Sequence, residues 1–274
     1  MRALQNHHIV DVYVWVAETL PDEPRPKGGR PALIRDSELL AILIWNSLTN
    51  TCSKTLKQLY DWLAMYHARD VRALPTYGAF VVQCHRVIPK LLLLVGTTLE
   101  STTTVRFCDS TMLPVCKNAR VKEHKVARGF ATWGFNHQGP HFGFKLHAAI
   151  DASNRLVALV FTPAGRYDGQ VLDKLVNEHT KYAVGDSHYG GSVERKKLWQ
   201  KHHVIVVAYP HHKQKRKLMA GWQQLLLHMR PKIEATFDQL KEHRHLVSSF
   251  PRSVEGYFLH YLRIILGYQV GLGF

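Results

Sequence analysis

The chain has 274 residues, of which 46% are hydrophobic and 21% are charged, a composition typical of a soluble globular protein with a sizeable core. No apolar run reaches the ~18 residues of a membrane span, and the N-terminal residues lack the apolar stretch of a signal peptide. The four cysteines form no Cys-x-x-Cys pair, which argues against a disulfide framework or a structural zinc site. We therefore expect a reduced, cytoplasmic protein with no membrane partner.

The net charge of +15 is distributed unevenly. Residues 1–100 carry 11 Lys and Arg against 9 Asp and Glu, whereas residues 101–274 carry 25 against 12. A positive field of this size attracts polyanions with an affinity that falls as salt is added. Nucleic acid is the expected partner, with an inert basic surface as the alternative.

Residues 1–100 are predicted to form a series of short helices. Apolar residues at helical spacing predict a helix over 9–20 and further helices that begin at Asp36, Ser53, Pro75 and Pro89. Short helices in close succession fit a helix-turn-helix-like module that binds DNA. Helical packing or dimerisation without DNA contact is the alternative.

Three basic residues of this region are candidate DNA contacts. Lys27 and Arg30 lie in the Pro-rich and charged segment 21–36, which can enter a minor groove as an arm or remain a solvated turn. Arg86 lies on the helix predicted over 77–87, where its guanidinium can read a base edge.

The pattern changes from helices to strands at residue 102. A strand through Asp109 precedes strands over 142–151 and 156–162, which a short polar turn joins as a hairpin. A helix capped by Asp168 follows, then a strand over 181–186, a basic helix to about residue 202, and a strand over 203–209. A long helix from about Gly221, which Pro231 should kink or restart, precedes a last buried helix over 253–270.

This order of elements is that of a ribonuclease H-like fold, an α/β fold with a mixed sheet flanked by helices. The sequence therefore predicts two domains. Residues 1–100 form an all-helical, helix-turn-helix-like domain for DNA binding or dimerisation, and residues 101–274 form the ribonuclease H-like catalytic domain.

Asp109, Asp186 and Glu234 occupy three related places in that order: the first strand, the end of the fourth strand, and the helix after the fifth. An isolated buried carboxylate costs several kcal/mol. Three converging carboxylates would also repel one another and raise at least one pKa, so the cluster favours a bound cation. Hard oxygen donors of this kind suit Mg²⁺. Three unrelated acidic residues are the alternative.

Three stretches carry a family resemblance: Cys108-Asp109-Ser110, Gly185-Asp186-Ser187-His188-Tyr189, and Arg230-x3-Glu234-x6-Lys241. Together they resemble the DDE transposases of bacterial insertion sequences, over residues 100–270. The resemblance implies metal-dependent DNA cleavage at the element ends, followed by transfer of the 3′-OH into target DNA.

The resemblance also implies a cofactor and partners. Asp109, Asp186 and Glu234 would hold two Mg²⁺ ions, with Mn²⁺ as a substitute and Asp109 as the ligand that both ions share. The partners would be double-stranded DNA, as terminal inverted repeats and as target, and a second copy of the chain in a dimer or larger synaptic assembly. The location would be the bacterial cytoplasm, at the nucleoid.

Further residues are predicted DNA contacts: Lys117, Arg120, Lys145, His188, Tyr189, Lys213, Lys215, Arg216, Lys217, Arg230 and Lys241. Arg230 can grip a phosphate with two N–H groups, although simple charge pairing on the helix is the alternative. Asp168 is predicted to be a helix cap and not a fourth ligand. Two other functions stay open: a nuclease of the same fold without strand transfer, and a non-catalytic DNA-binding descendant of a transposase.

Overall fold

The computed structural model describes residues 9–22, 32–48, 53–67, 71, 73–136, 138–210 and 218–273. The chain divides into two compact units. The helical unit comprises Met1–Thr98 and Glu242–Phe274, and the sheet unit comprises Leu99–Lys241. The last helix, assigned from the sequence to the catalytic domain, thus clusters with the N-terminal helices. The functional division into two domains stays a prediction.

The described residues contain nine α-helices: α1 (Ile9–Thr19), α2 (Asp36–Leu48), α3 (Leu56–Tyr66), α4 (Tyr77–Arg86), α5 (Ile88–Thr98), α6 (Ser192–His202), α7 (Gly221–Met229), α8 (Pro231–Asp238) and α9 (Val254–Gly273). The helical unit contains α1 to α5 and α9. Within the described ranges no single helix has the length and apolar composition to cross a membrane; the bent pair α4 and α5 passes that test together, by length and composition only.

Helix α9 is the centre of the helical unit. Its side chains are buried without interruption over residues 259–270, and it packs on α2 and α5. A helix that is apolar on all sides must be covered on all sides, which explains why α9 joins the N-terminal helices. Gly267 allows the close approach, because a Cβ there would lie 2.6 Å from the Cβ of Ser47.

Arg263 of α9 is only 1% exposed, and hydrogen bonds stabilise its buried charge. The guanidinium donates to Asn46 Oδ1 (3.2 Å), to the carbonyl oxygen of Ser53, and to Nδ1 of His260 (3.2 Å). Nε2 of His260 in turn donates to the carbonyl oxygen of His245 (2.8 Å). Burial, together with Arg263, lowers the pKa of His260 to about 3, so the imidazole is neutral and can accept.

The start of α3 differs from the sequence prediction. Ser53 was predicted to cap this helix, but its hydroxyl accepts from Asn46 Nδ2 (3.2 Å) in the buried network. Thr55 is the cap instead, with Oγ1 accepting from the backbone N–H of Gln58 (3.1 Å). Helix α2 begins at Asp36, as predicted.

The sheet unit contains six strands: β1 (Val105–Pro114), β2 (Thr132–Asn136), β3 (Gly139–Ile150), β4 (Leu156–Pro163), β5 (Tyr182–Gly185) and β6 (Ile205–Ala208). The sheet order is β2-β3-β1-β5-β6, and β4 also pairs with β3. Strand β3 pairs antiparallel with β1, β2 and β4, whereas β1 pairs parallel with β5 and β5 with β6. The result is a mixed α/β unit.

The parallel pairing of β1 and β5 brings two acidic positions together. Phe107 of β1 lies opposite Val184 of β5. Asp109 is two residues after Phe107, and Asp186 is two residues after Val184. Because the two strands are parallel and in this register, both acidic residues lie at the same level along the strands. Helix α8, which carries Glu234, packs on β1.

The outcome differs for two further predictions and for one strand. Pro231 restarts the long helix, since α7 ends at Met229 and α8 begins at Pro231. Strand β2 was not predicted. The prediction of a helix after Asp168 is wrong, because the chain forms two short 3₁₀ turns there, Asp168–Gln170 and Leu172–Lys174. The side chain of Asp168 caps neither turn.

Candidate functional site

Asp109 lies in the middle of β1, the strand that joins the antiparallel and parallel parts of the sheet. Its side chain is 16% exposed. Oδ1 accepts from the backbone N–H of Ser110 (2.8 Å), and Oδ2 accepts from Nη2 of Arg230 (3.0 Å). A central strand therefore holds this carboxylate nearly out of water.

Asp186 follows β5 directly and caps the 3₁₀ turn Ser187–Tyr189. Oδ1 accepts from the backbone N–H of His188 (2.9 Å), and Oδ2 lies 2.8 Å from Nδ1 of the same residue. This hydrogen bond raises the pKa of His188, because the neighbouring carboxylate favours the imidazolium. The exposed His188 thus orients Asp186.

Glu234 lies in the first turn of α8 and is half exposed. Its Oε1 accepts from Nη1 of Arg230 (2.7 Å), four residues earlier. One guanidinium therefore holds Asp109 with one nitrogen and Glu234 with the other. Arg230 links the strand carboxylate to the helix carboxylate.

The electrostatics of Asp109 mark it as the unusual member of the group. Its pKa is raised to about 6, first by burial and then by the charges of Asp186 and Glu234. Arg230 and the Ser110 N–H act in the opposite direction and only partly offset the rise. Asp186 and Glu234 are thus close enough to act on Asp109, and a raised carboxyl pKa of this kind is typical of functional sites.

The donors fit a hard divalent cation in chemistry and charge, since all three residues offer carboxylate oxygens. In the described part of the chain, no three His, Cys, Asp or Glu side chains are grouped closely enough to hold a metal ion. Two of the carboxylates are instead engaged with Arg230, and Asp186 is engaged with His188. The side chains would have to exchange these partners for a cation.

A second charged cluster, which the sequence did not predict, lies beside this site. Lys145 Nζ donates to Asp168 Oδ1 (3.1 Å) and to the carbonyl oxygen of Arg166 (2.9 Å). Nδ1 of His147 lies 3.4 Å from the same Asp168 oxygen. The sequence signal for a helix cap at Asp168 was misleading, because an ammonium on β3 takes up this carboxylate.

Side-chain alternation along β3 explains why Lys145 does not join the triad. Asp109 lies opposite Ala148 in the antiparallel pairing. Lys145 and His147 are odd-numbered neighbours of Ala148 and therefore point to the other face of the sheet. Lys145 and His147 thus lie on the face of β3 away from Asp109, while the charges of Lys145 and Asp168 still act on His188 at the edge of the site.

Two predicted DNA contacts are buried. Lys145 is 8% exposed, with its ammonium engaged as described. Tyr189 is 1% exposed and packs on Gly185, where a Cβ would lie 2.6 Å from the Tyr189 ring. Its hydroxyl has no hydrogen-bond partner among the described residues. These positions favour internal roles for both side chains.

The other predicted contacts fall into three groups. Lys117, Arg120 and His188 are exposed. Arg86 is ion-paired with Asp36, and Lys241 lies half-buried in the π-helical turn Gln239–His243. The remaining candidates lie outside the described residues: Lys27, Arg30, Lys213, Lys215, Arg216 and Lys217.

Comparison with known families places this site in context. The profile of the Transposase DDE domain family matches residues 99–254, which include all three carboxylates. Because the match covers more than half of the chain, the protein belongs to this transposase family. Membership implies a DNA substrate and an enzyme of the nucleotidyl-transferase or endonuclease kind. Comparisons with curated proteins and with solved structures gave no match.

Proposed function

We propose that the protein is the transposase of a bacterial insertion sequence, which cleaves DNA at the element ends and joins the freed 3′-OH to target DNA. One observation carries the proposal. Asp109 is a mostly buried strand carboxylate with a pKa raised to about 6, and Asp186 and Glu234 contribute to that rise, inside the region that matches the DDE domain.

We further propose that the sheet unit has a ribonuclease H-like fold. Leaving aside β2, the strands lie in the spatial order β4-β3-β1-β5-β6, with the first three antiparallel and the last two parallel to β1. The acidic residues occupy the first strand, the end of β5, and the helix after β6. For the N-terminal helices, the helix-turn-helix-like role stays a proposal.

The cofactor proposed for this site is Mg²⁺, as two ions or with Mn²⁺ in its place. Asp109 would be the shared ligand, with Asp186 and Glu234 as the others. Such ions, when bound, neutralise a phosphodiester and activate the attacking oxygen. The raised pKa of Asp109 supports the proposal, because a carboxylate in this position lacks enough positive charge around it.

The residues of the chain have separate tasks in this proposal. Arg230 holds Asp109 and Glu234 before a cation enters, and afterwards its two N–H groups are available to grip a DNA phosphate. His188 fixes the orientation of Asp186 from the solvent side. Burial of Asp109 keeps water away from one side of the reacting groups.

The partners in this proposal are the terminal inverted repeats, the target DNA and a second copy of the chain, in the bacterial cytoplasm at the nucleoid. Two element ends must be joined in one reaction, which calls for a dimer or a larger assembly. The excess of basic residues beyond residue 100 supplies nonspecific attraction for the duplex.

The test uses a plasmid that carries the DNA flanking the coding sequence. Asp109→Asn, Asp186→Asn and Glu234→Gln should each reduce Mg²⁺-dependent cleavage by at least ~10³-fold, because each removes a charged oxygen donor. Asp238→Asn is the matched control, since Asp238 is an exposed acid of the same helix as Glu234.

The products then separate the alternatives. A transposase gives molecules in which the 3′-OH of an element end is joined to target DNA. Cleavage without joined products would favour the nuclease. Full cleavage by the Asp109→Asn variant, or an equal loss in Asp238→Asn, would overturn the assignment of the site.

A further inference from the structure

A cleft in the helical unit has a positively charged lining. Its cavity has a volume of about 410 Å³ and lies between the first turn of α3, one side of α4, residues 250–253 and the first half of α9. Lys54, Lys57, Arg252 and Arg263 contribute permanent charges to it. Among the described residues that line the cleft, none is Asp or Glu.

The charges of the cleft are arranged in depth. Arg263 lies at the buried floor of the cleft, and its N–H groups are used in hydrogen bonds within the helical unit. It therefore adds positive potential to the cleft but does not contact a ligand. Lys54 and Arg252 are exposed at the mouth. Neither the ammonium of Lys54 nor the guanidinium of Arg252 forms an ion pair or hydrogen bond with another described residue. Two charged groups are therefore available to a ligand.

The other cation at the mouth is already engaged. Lys57 forms an ion pair with Asp61, and its ammonium lies 5.6 Å from the ring centre of Tyr77. Its charge is thus partly neutralised at the edge of the cleft. The test below therefore uses Lys54 and Arg252.

Two histidines next to the cleft report the sign of the local field. Burial lowers the pKa of His245, and the charges of Lys54 and Arg263 lower it further. Burial lowers the pKa of His260, again with a contribution from Arg263. Burial disfavours a charge of either sign, whereas the contributions of Lys54 and Arg263 indicate a positive field that favours an added anion.

Two helix N-termini add to this field. Thr55 caps α3, and the hydroxyl of Ser253 accepts from the backbone N–H of Gly256 (3.0 Å) at the start of α9. Both capping residues line the cleft. The first turn of a helix carries partial positive charge on its N–H groups, which favours a phosphate or another anion.

We propose that this cleft binds a phosphodiester group of a DNA strand. The exposed rings of Tyr77 and Phe250 also line the cleft and offer flat apolar surface to the sugar or base next to that phosphate. A free inorganic phosphate would use the charges but not the rings. The inference rests on the proposed function only in taking DNA as the ligand.

The experiment measures binding of the full chain to a short fluorescent duplex by anisotropy, over a range of salt and without divalent metal. Lys54→Gln and Arg252→Gln should each reduce the slope of log affinity against log salt by about one, and the double variant by about two, because each loses one phosphate contact. Arg35→Gln is the matched control, since Arg35 is an exposed arginine of the same unit outside the cleft.

The control should keep the wild-type slope. A double variant with the wild-type slope, or an equal fall in Arg35→Gln, would overturn the proposal. Inorganic phosphate, titrated at constant ionic strength, tests the other source of the ligand. The proposal would also be overturned if the wild type bound phosphate tightly and the double variant lost this binding but kept the wild-type salt slope for DNA. The experiment reads DNA binding and not cleavage, so this inference and the proposed function fail separately.

Discussion

The helical unit and the sheet unit each bury a charged or ionisable side chain, with opposite electrostatic results. In the helical unit, Arg263 is surrounded by acceptors: Asn46, Ser47, the carbonyl oxygen of Ser53, and a neutral His260. In the sheet unit, burial and two neighbouring carboxylates raise the pKa of Asp109, which Arg230 only partly offsets.

The difference is the one expected between a structural charge and a functional one. A buried group whose hydrogen bonds are complete stabilises one packed arrangement. A buried group whose surroundings oppose its charge lowers the stability of the folded state and is ready to take a new partner. Substitutions of the two groups should therefore change stability in opposite directions.

The largest effect is expected at Arg263. Arg263→Met should destabilise the protein by about 3–5 kcal/mol, because it leaves several acceptors buried without a donor. Urea denaturation measures the change. Arg252→Met, at an exposed arginine of the same unit, should cost less than ~0.5 kcal/mol. Equal costs for the two variants would show that the Arg263 network contributes nothing.

Asp109→Asn should stabilise the metal-free protein at neutral pH. The folded-state pKa is about 6 against an ordinary value of 3.8, so the folded protein keeps a proton that the unfolded chain has lost. Stability therefore falls as pH rises from about 4 to about 6, by at most ~3 kcal/mol. Asparagine does not ionise and avoids this loss.

The comparison is made by thermal or urea denaturation at several pH values with a chelator present. The variant should be more stable than the wild type above pH ~6 and equal to it near pH ~4. Asp238→Asn, at an exposed acid, serves as the control. A stability difference that grows as the pH falls would contradict the assigned direction of the shift.

Substitutions in the Lys145–Asp168 pair should change stability by an amount between those expected for Arg263 and for Asp109. Its side chains are 10% and 18% exposed, so the pair is mostly buried but reachable from one side. Lys145→Met and Asp168→Asn should each cost about 2 kcal/mol, because each leaves a partner charge behind. Denaturation of both single variants and the double variant gives the coupling, which should exceed ~1 kcal/mol. Strict additivity would show that the two charges do not support each other.

The smallest stability effects are expected at the caps. Thr55→Ala should cost about 1 kcal/mol, because the Gln58 N–H of α3 loses its acceptor. Asp186 caps its 3₁₀ turn by accepting from the His188 N–H, and Asp186→Asn keeps that acceptor. This second variant should change stability by less than ~0.5 kcal/mol while abolishing cleavage. A large loss of stability in Asp186→Asn would give this residue a structural role.

Most of the order of elements followed from local patterns, and the same patterns assigned Asp109, Asp186 and Glu234 to the elements where the structure has them: β1, the end of β5 and α8. Apolar runs predict strands, and Pro231 predicts that a helix restarts. Neither signal depends on where the element lies in the fold. Strand β2 was missed because it has one buried position, Gly134, and so lacks the alternation that a half-buried strand shows.

Long-range partners account for the remaining errors. Asp168 has the sequence surroundings of a helix cap, but Lys145, 23 residues earlier, takes its carboxylate. The pairing of Arg230 with Glu234 follows from helical spacing, whereas its bond to Asp109 spans 121 residues. The raised pKa of Asp109 depends on burial, which only the fold supplies.

The placement of α9 has a consequence for the order in which the protein is synthesised. The ribosome makes α1 to α5, then the whole sheet unit, and only then the helix that covers α2 and α5. The sheet unit can thus fold during translation while the first helices still expose apolar faces. The cleft with Lys54 and Arg252 has both walls only after α9 emerges, so a nascent chain carries the three carboxylates before it carries this cleft.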